Sequence, residues 1–167
     1  NALVFYQIFV GSFSDSNGDG TGDLRGIINR MDYLNDGNMY SENSLGVQGI
    51  WLSPIFASPS YHKYDASNYY KIDEKFGTEA DLVELIELCH ERNVKVILDL
   101  VINHTSDEHE WFVQGLQDET SKYRDYYKFR PDDGTKTLPN NWVSFFSGPA
   151  WNYYEEQKLW GLHLFSK

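Results

Sequence analysis

Hydrophobic and polar positions change period repeatedly along the first hundred residues. Residues 3–10 (Leu-Val-Phe-Tyr-Gln-Ile-Phe-Val) are dense in aromatic and β-branched side chains, which predicts a first strand. Leu24, Ile27, Ile28, Met31 and Leu34 then recur at three and four residues, the stripe of a helix that starts near Asp23 and stops near Gly37. After a polar insert at 38–44, residues 46–54 (Gly-Val-Gln-Gly-Ile-Trp-Leu-Ser-Pro) supply a second strand ended by Pro54. Residues 55–73 follow neither period and read as a long loop holding Phe56, Tyr61, His62, Tyr64, Tyr69 and Tyr70. A loop of that length in a compact domain usually serves function. Thr78-Glu-Ala-Asp81 has the spacing of a capping box, ahead of a helix with the stripe Leu82, Leu85, Ile86 and Cys89.

Residues 94–104 (Val-Lys-Val-Ile-Leu-Asp-Leu-Val-Ile-Asn-His) form a nearly continuous apolar run, as expected of a third strand covered on both faces. Asp99 interrupts that run. A carboxylate inside it costs several kcal/mol unless paired, so Asp99 requires a cationic or donor partner. Strand and helix alternate throughout this part, which predicts right-handed parallel crossovers and an α/β sheet. Loops at the carboxyl ends of the strands, around Asp15, from Pro54 to Asp73 and from Asn103 onward, would share one face. Beyond Thr105 the pattern changes. Residues 111–127 are compatible with helix, whereas 131–167 are rich in Gly, Pro, Asn and aromatics, with apolar bursts at 142–146 and 159–165. The expected division is a first domain at 1–104 and a small β-rich insert at 105–167.

Composition narrows the chemistry. Hydrophobic residues make up 41% of the chain and aromatics 16%, enough for a real core. With 25 acidic against 14 basic residues, a formal charge of −11 and no Lys/Arg cluster, nucleic acid and anionic membranes are disfavoured as partners. No apolar run is long enough for a membrane span and no leader precedes Leu3. The lone Cys89 permits no internal disulfide and reads as a small buried hydrophobe. Abundant Trp, Tyr and Phe suit a ligand with apolar faces, such as a sugar ring, and equally an aromatic core.

The segment 15–23 sets oxygen-bearing side chains at alternate positions with glycines between them. Compared with a helix-loop-helix calcium loop, Asp15, Asn17 and Asp19 stand at positions one, three and five, Gly20 at six, the Thr21 carbonyl at seven and Asp23 at nine. Gly26 stands where the bidentate Glu would be, and the loop follows a strand, so a calcium or magnesium site of another kind is expected. The alternative is a solvated Asp/Asn/Gly turn. Asp107, Glu108, His109 and Glu110 read as a solvated helix start rather than a metal site.

Asp99-Leu-Val-Ile-Asn103-His104 resembles the first short motif of the α-amylase family of glycoside hydrolases, at the end of the third barrel strand. In the family's order, Phe5-Tyr6-Gln7-Ile8-Phe9 with the 15–23 loop, Gly49-Ile50-Trp51-Leu52-Ser53-Pro54, His62-Lys63-Tyr64-Asp65, Tyr70-Lys-Ile-Asp73 and Phe76-Gly77-Thr78 are similar too. These cover residues 3 to about 112, and 142–167 resembles the domain inserted after strand three. The resemblance implies the N-terminal portion of a (β/α)8 TIM barrel, about three βα units, with a β-rich insert.

Such barrels run to about 250 residues. In the family the nucleophilic Asp, the acid/base Glu and a third carboxylate lie on later strands, and nothing in this chain matches those motifs. Retention needs two carboxyl groups roughly 5–5.5 Å apart, so the chain is expected to be an N-terminal piece that hydrolyses nothing alone. The resemblance also implies that Tyr64 stacks on the sugar ring and that Asp65, His104 and His62 contact it. Lys63 stands where many members have Gly. Asp99 would support the site by pairing with an Arg on a later strand, and Asn103 has counterparts that bind calcium in many amylases. The implied parent is a retaining hydrolase of α-1,4 or α-1,6 glucosidic bonds acting on an α-glucan or α-glucoside oligosaccharide. An isomerase or transglycosylase on the same scaffold, or a catalytically silent carbohydrate-binding relative, stays open. The acidic balance and the calcium loop lean toward an extracellular enzyme.

Overall fold

The computed structural model describes residues 3–165, so Asn1 and Ala2 of the expected first domain, and Ser166 and Lys167 of the expected insert, lie outside the described residues. The chain falls into two compact units, Asn1–Lys63 with Tyr69–Leu100, and Tyr64–Asn68 with Val101–Lys167. The five residues at 64–68 thus group with the later part of the chain.

In the first unit β1 (Phe5–Ile8), β2 (Gly49–Leu52) and β5 (Lys95–Leu98) form a parallel sheet in the order β1-β2-β5. Gln7, Trp51 and Ile97 are in register across it. Ile8, Ile50 and Leu52, with Tyr6, Val96 and Leu98, point to the helix side and pack with Leu24, Ile27, Met31, Leu34, Leu85 and Cys89. Each fully buried Leu or Ile contributes roughly 1.5–3 kcal/mol. Phe5, Trp51 and Ile97 lie on the other face, with Trp51 40% and Ile97 45% exposed. Among the described residues β5 is the last strand of this sheet, covered on its helix side. It also ends at Leu98, and residues 99–104 carry no strand. Gly49 has a local reason: a Cβ there would lie 2.2 Å from the Phe5 ring.

The single helix expected from Leu24 to Leu34 is two, α2 (Leu24–Asn29) and α3 (Met31–Leu34), following a four-residue turn α1 (Val10–Phe13). Arg30 closes the first with its N–H on the Ile27 carbonyl at 3.0 Å, a tightened last turn, and its own carbonyl opens the second. Asp23 caps α2 as its Oδ1 accepts the Gly26 N–H at 2.6 Å. The expected capping box holds on α4 (Glu79–Glu91): Thr78 Oγ1 accepts the Asp81 N–H and Asp81 Oδ2 accepts the Thr78 N–H. The Thr78 O–H and N–H both donate to Asp81 Oδ2 and, with Arg25 reaching Asp81 from α2, hold its carboxyl below the usual carboxylate range. Cys89 on α4 is buried beside Met31, and burial pushes its thiol up to about 11, which leaves it unreactive.

The stretch expected as a loop at 55–73 is partly ordered as a two-stranded sheet, β3 (Phe56–Ala57) with β4 (Asn68–Ile72). No hydrophobic alternation announces it, because every residue of β4 is half-buried or exposed.

In the second unit α5 (Glu110–Gln117) and a 3-10 turn (Arg124–Tyr126) replace the longer helix compatible with 111–127. His109 caps α5, its Nδ1 accepting the Trp111 N–H at 3.1 Å. His109 is buried, unlike its exposed neighbours Asp107, Glu108 and Glu110, and burial lowers its pKa, favouring the neutral ring that capping needs. The solvated helix start therefore holds except at His109. Phe112 packs edge-on or tilted with Tyr127, Phe129 and Tyr154. β6 (Phe129–Pro131), β7 (Trp151–Tyr154) and β8 (Leu159–Leu162) form an antiparallel sheet ordered β6-β8-β7 over Ala150, Trp151 and Trp160. The burst at 142–146 is not a strand; it makes one bridge, Val143 with Pro149. Among the described residues no helix is long and apolar enough to cross a membrane.

Candidate functional site

Within the second unit, His104 and Tyr64 meet although forty positions apart: His104 Nε2 lies 2.8 Å from the Tyr64 carbonyl oxygen. A carbonyl only accepts, so the bond requires the hydrogen on Nε2. Asn103 Nδ2 stands 3.2 Å from His104 Nδ1 and donates to it, which fixes the Nε2–H tautomer from the other side. Nearby, the Ser106 N–H donates to the Ala66 carbonyl at 2.9 Å, tying the two segments a second time. Asp65 sits between Tyr64 and Ala66 and is half-buried.

Phe165 stacks on His104, centroids 4.3 Å apart and planes 15° apart, and lies 6.5 Å from the Tyr64 ring. Phe146 meets Phe165 edge-on at 4.7 Å, and Phe145 lies beyond at 6.4 Å, 80% exposed. The result is an aromatic surface with Tyr64 and His104 at one end. The sequence places Phe145, Phe146 and Phe165 only within apolar bursts; the signal that could single them out is that aromatics in a Gly/Pro/Asn-rich segment have few core positions to fill.

Other expected residues belong to the first unit. Asp99 follows β5, half-buried, with its N–H on the Leu52 carbonyl at 3.1 Å. It lies beyond the strand end rather than inside a covered strand, so the desolvation cost expected for it is smaller. His62 is half-buried, its Nδ1 3.2 Å from Ser60 Oγ.

The loop 15–23 winds around its own side chains. Asp15 accepts the N–H groups of Asn17, Gly18 and Gly20; Asn17 Oδ1 accepts that of Asp19, and Asp19 Oδ1 that of Thr21. The Gly20 and Gly18 bonds lower the Asp15 pKa, so its carboxylate stays ionised. Asp23 Oδ2 accepts both the N–H and the O–H of Ser16. A Cβ at Gly26 would lie 1.8 Å from the Ser14 carbonyl oxygen, which explains why no twelfth-position carboxylate can exist here. Among the described residues no three His, Cys, Asp or Glu side chains converge as a metal-binding group. A hard cation would have to draw on Asn17 and the Thr21 carbonyl as well, an all-oxygen set of the type such ions take.

The alpha amylase catalytic domain family matches residues 7–167, nearly the whole chain, so this chain belongs to that family. The oligo-1,6-glucosidase of Bacillus cereus is 52% identical over 165 residues, covering 98% of this chain and 28% of that protein. Among solved structures, the alpha-amylase from H. orenii superposes with a TM-score of 0.87 at 46% identity, covering 98% of this chain and 32% of that one. The isomaltulose synthase from Klebsiella sp. LX3 gives a TM-score of 0.89 at 43% identity, covering 99% and 28%. The chain thus spans about 28% of the length of the curated relatives it matches. Its sheet of β1, β2 and β5 is open among the described residues, with no closed barrel.

Proposed function

We propose that this chain is the N-terminal part, about three βα units and a β-rich insert, of the catalytic TIM barrel of a retaining α-glucoside hydrolase. The observation that carries this reading is the His104–Tyr64 pair, which presents an aromatic face and a fixed imidazole beside Asp65. Tyr64 stacks on the glucosyl ring while Asp65 and His62 hold its hydroxyls, and His104 reaches a hydroxyl by exchanging its Nε2–H bond to the Tyr64 carbonyl for one to the sugar, contacts that tighten as the ring becomes oxocarbenium-like. With its nitrogens engaged by Tyr64 and Asn103, His104 also sets the backbone at Tyr64. The family motif gives Asp99 a supporting role rather than a chemical one. The nucleophile and acid/base come from the remainder of the enzyme, so residues 1–167 alone do not hydrolyse glycosides.

The names of the relatives support a small α-glucoside, with α-1,6 linkage favoured. An isomerase is the second reading, favoured by the isomaltulose synthase match. Full-length enzyme assayed on isomaltose, maltose, starch and sucrose separates them. Glucose release from isomaltose is expected. Release from starch but not isomaltose refutes the α-1,6 reading, and conversion of sucrose to an isomer without hydrolysis refutes the hydrolase.

The same reading assigns a calcium or magnesium ion to Asp15, Asn17, Asp19, Asp23 and the Thr21 carbonyl. The ion would brace the loop after β1 rather than take part in chemistry. Asn103 meets His104 through Nδ2, which leaves its Oδ1 as the atom that would take a cation of its own, apart from this loop. At 1 mM Ca²⁺ the full-length enzyme should melt about 5 °C higher than in chelator, and Asp19→Ala should abolish the shift. An unchanged shift in the variant refutes the assignment.

A further inference from the structure

Lys63 is a buried lysine, 6% exposed, whose backbone takes the left-handed conformation at φ 65°. Glycine adopts that conformation without steric cost and lysine does not, so something must hold it there. Its ammonium supplies the hold. Nζ lies 2.8 Å from Asp73 Oδ2, donates to the Ser58 carbonyl at 3.0 Å, and sits 5.6 Å from the centroid of the buried Phe76 ring. Asp73 is itself 7% exposed and is fixed through its N–H on the Ile55 carbonyl, while its Oδ2 also accepts the Ser58 N–H. The Lys63 main chain then takes over. Its N–H donates to Ser60 Oγ at 3.1 Å, and the same Ser60 Oγ lies 3.2 Å from His62 Nδ1. Ser60 is braced again by its N–H on Ser58 Oγ.

One buried charge pair therefore ties both ends of the 58–63 turn, and the atom that meets the His62 ring is held by the lysine's own amide. We propose that Lys63 and Asp73 are positioning residues for substrate binding, acting through Ser58 and Ser60 to set the orientation of the His62 ring. This rests on the reading above that His62 contacts the sugar. Displacing a binding group by about 1 Å can cost up to about 100-fold in rate, so the device can matter without touching substrate.

A double-mutant cycle in the full-length enzyme, read as kcat/KM on isomaltose, tests it. His62→Ala should lose at least about tenfold; Lys63→Met should lose about tenfold in the wild-type background and less than about twofold once His62 is Ala. Equal losses in both backgrounds, or none in the wild type, overturn the positioning role. A His62→Ala enzyme with full activity overturns instead the assignment of His62 to the sugar. If Lys63→Met does not fold, judged by its thermal transition, Asp73→Asn enters the same cycle with the same outcomes, since its amide oxygen still accepts the Ser58 N–H while the charge pair is gone.

Discussion

His104→Ala in the full-length enzyme should lower kcat/KM for an α-glucoside by about 100-fold, with most of the loss in kcat. Two roles disappear together. In the proposed role the imidazole would no longer be available to the sugar, and the Tyr64 carbonyl would lose the Nε2 donor 2.8 Å away. Phe165 would lose the ring on which it stacks. His104→Gln offers a contrast, because its amide can still donate toward Tyr64; it should recover about a tenth of wild-type kcat/KM, about tenfold above the Ala variant. Steady-state kinetics on both variants, with near-UV circular dichroism to confirm folding, decides the matter. A loss smaller than about threefold for His104→Ala would remove His104 from the site.

The second large effect concerns the polypeptide 1–167 by itself. Its parallel sheet has two open edges, β1 and β5, and an apolar face carrying Phe5, Trp51 and Ile97. Parallel sheets are stable when both faces are covered, and open edges pair with other chains. Expressed alone, the polypeptide should therefore form soluble aggregates or a molten species that binds a hydrophobic dye, retains far-UV ellipticity and melts without a sharp transition. Size-exclusion chromatography and a thermal scan at micromolar concentration test this. A monomer with a cooperative transition would show that the face and edges are already satisfied.

What could be read from the sequence was chiefly local. The Thr78–Asp81 capping box and the start of α2 at Asp23 depend on residues three positions apart, and both form as the spacing implies. The three parallel strands were legible because β-branched and aromatic residues cluster there. By contrast, β3–β4, the stacking of Phe165 on His104 and the Lys63–Asp73 pair join residues whose neighbours in sequence give no period. The strand expected over 94–104 is shorter than its apolar run, ending at Leu98: apolar content marks a segment that can be buried and does not say where its ladder stops. For the candidate site, the motif resemblance names Tyr64, Asp65 and His104, and the structure joins Tyr64 to His104 through main chain and ring. Phe145, Phe146 and Phe165 had no motif to announce them.

The grouping of Tyr64–Asn68 with Val101–Lys167 bears on how such enzymes can be recombined. A chimera that exchanges only the sequence after residue 100 would keep the old pentapeptide and pair it with a foreign His104 and Ser106. The bonds to the Tyr64 and Ala66 carbonyls would then depend on chance compatibility. The transferable cassette is discontinuous: residues 64–68 must travel with the later segment, and a graft that carries both pieces should retain ring recognition where a single-cut graft loses it.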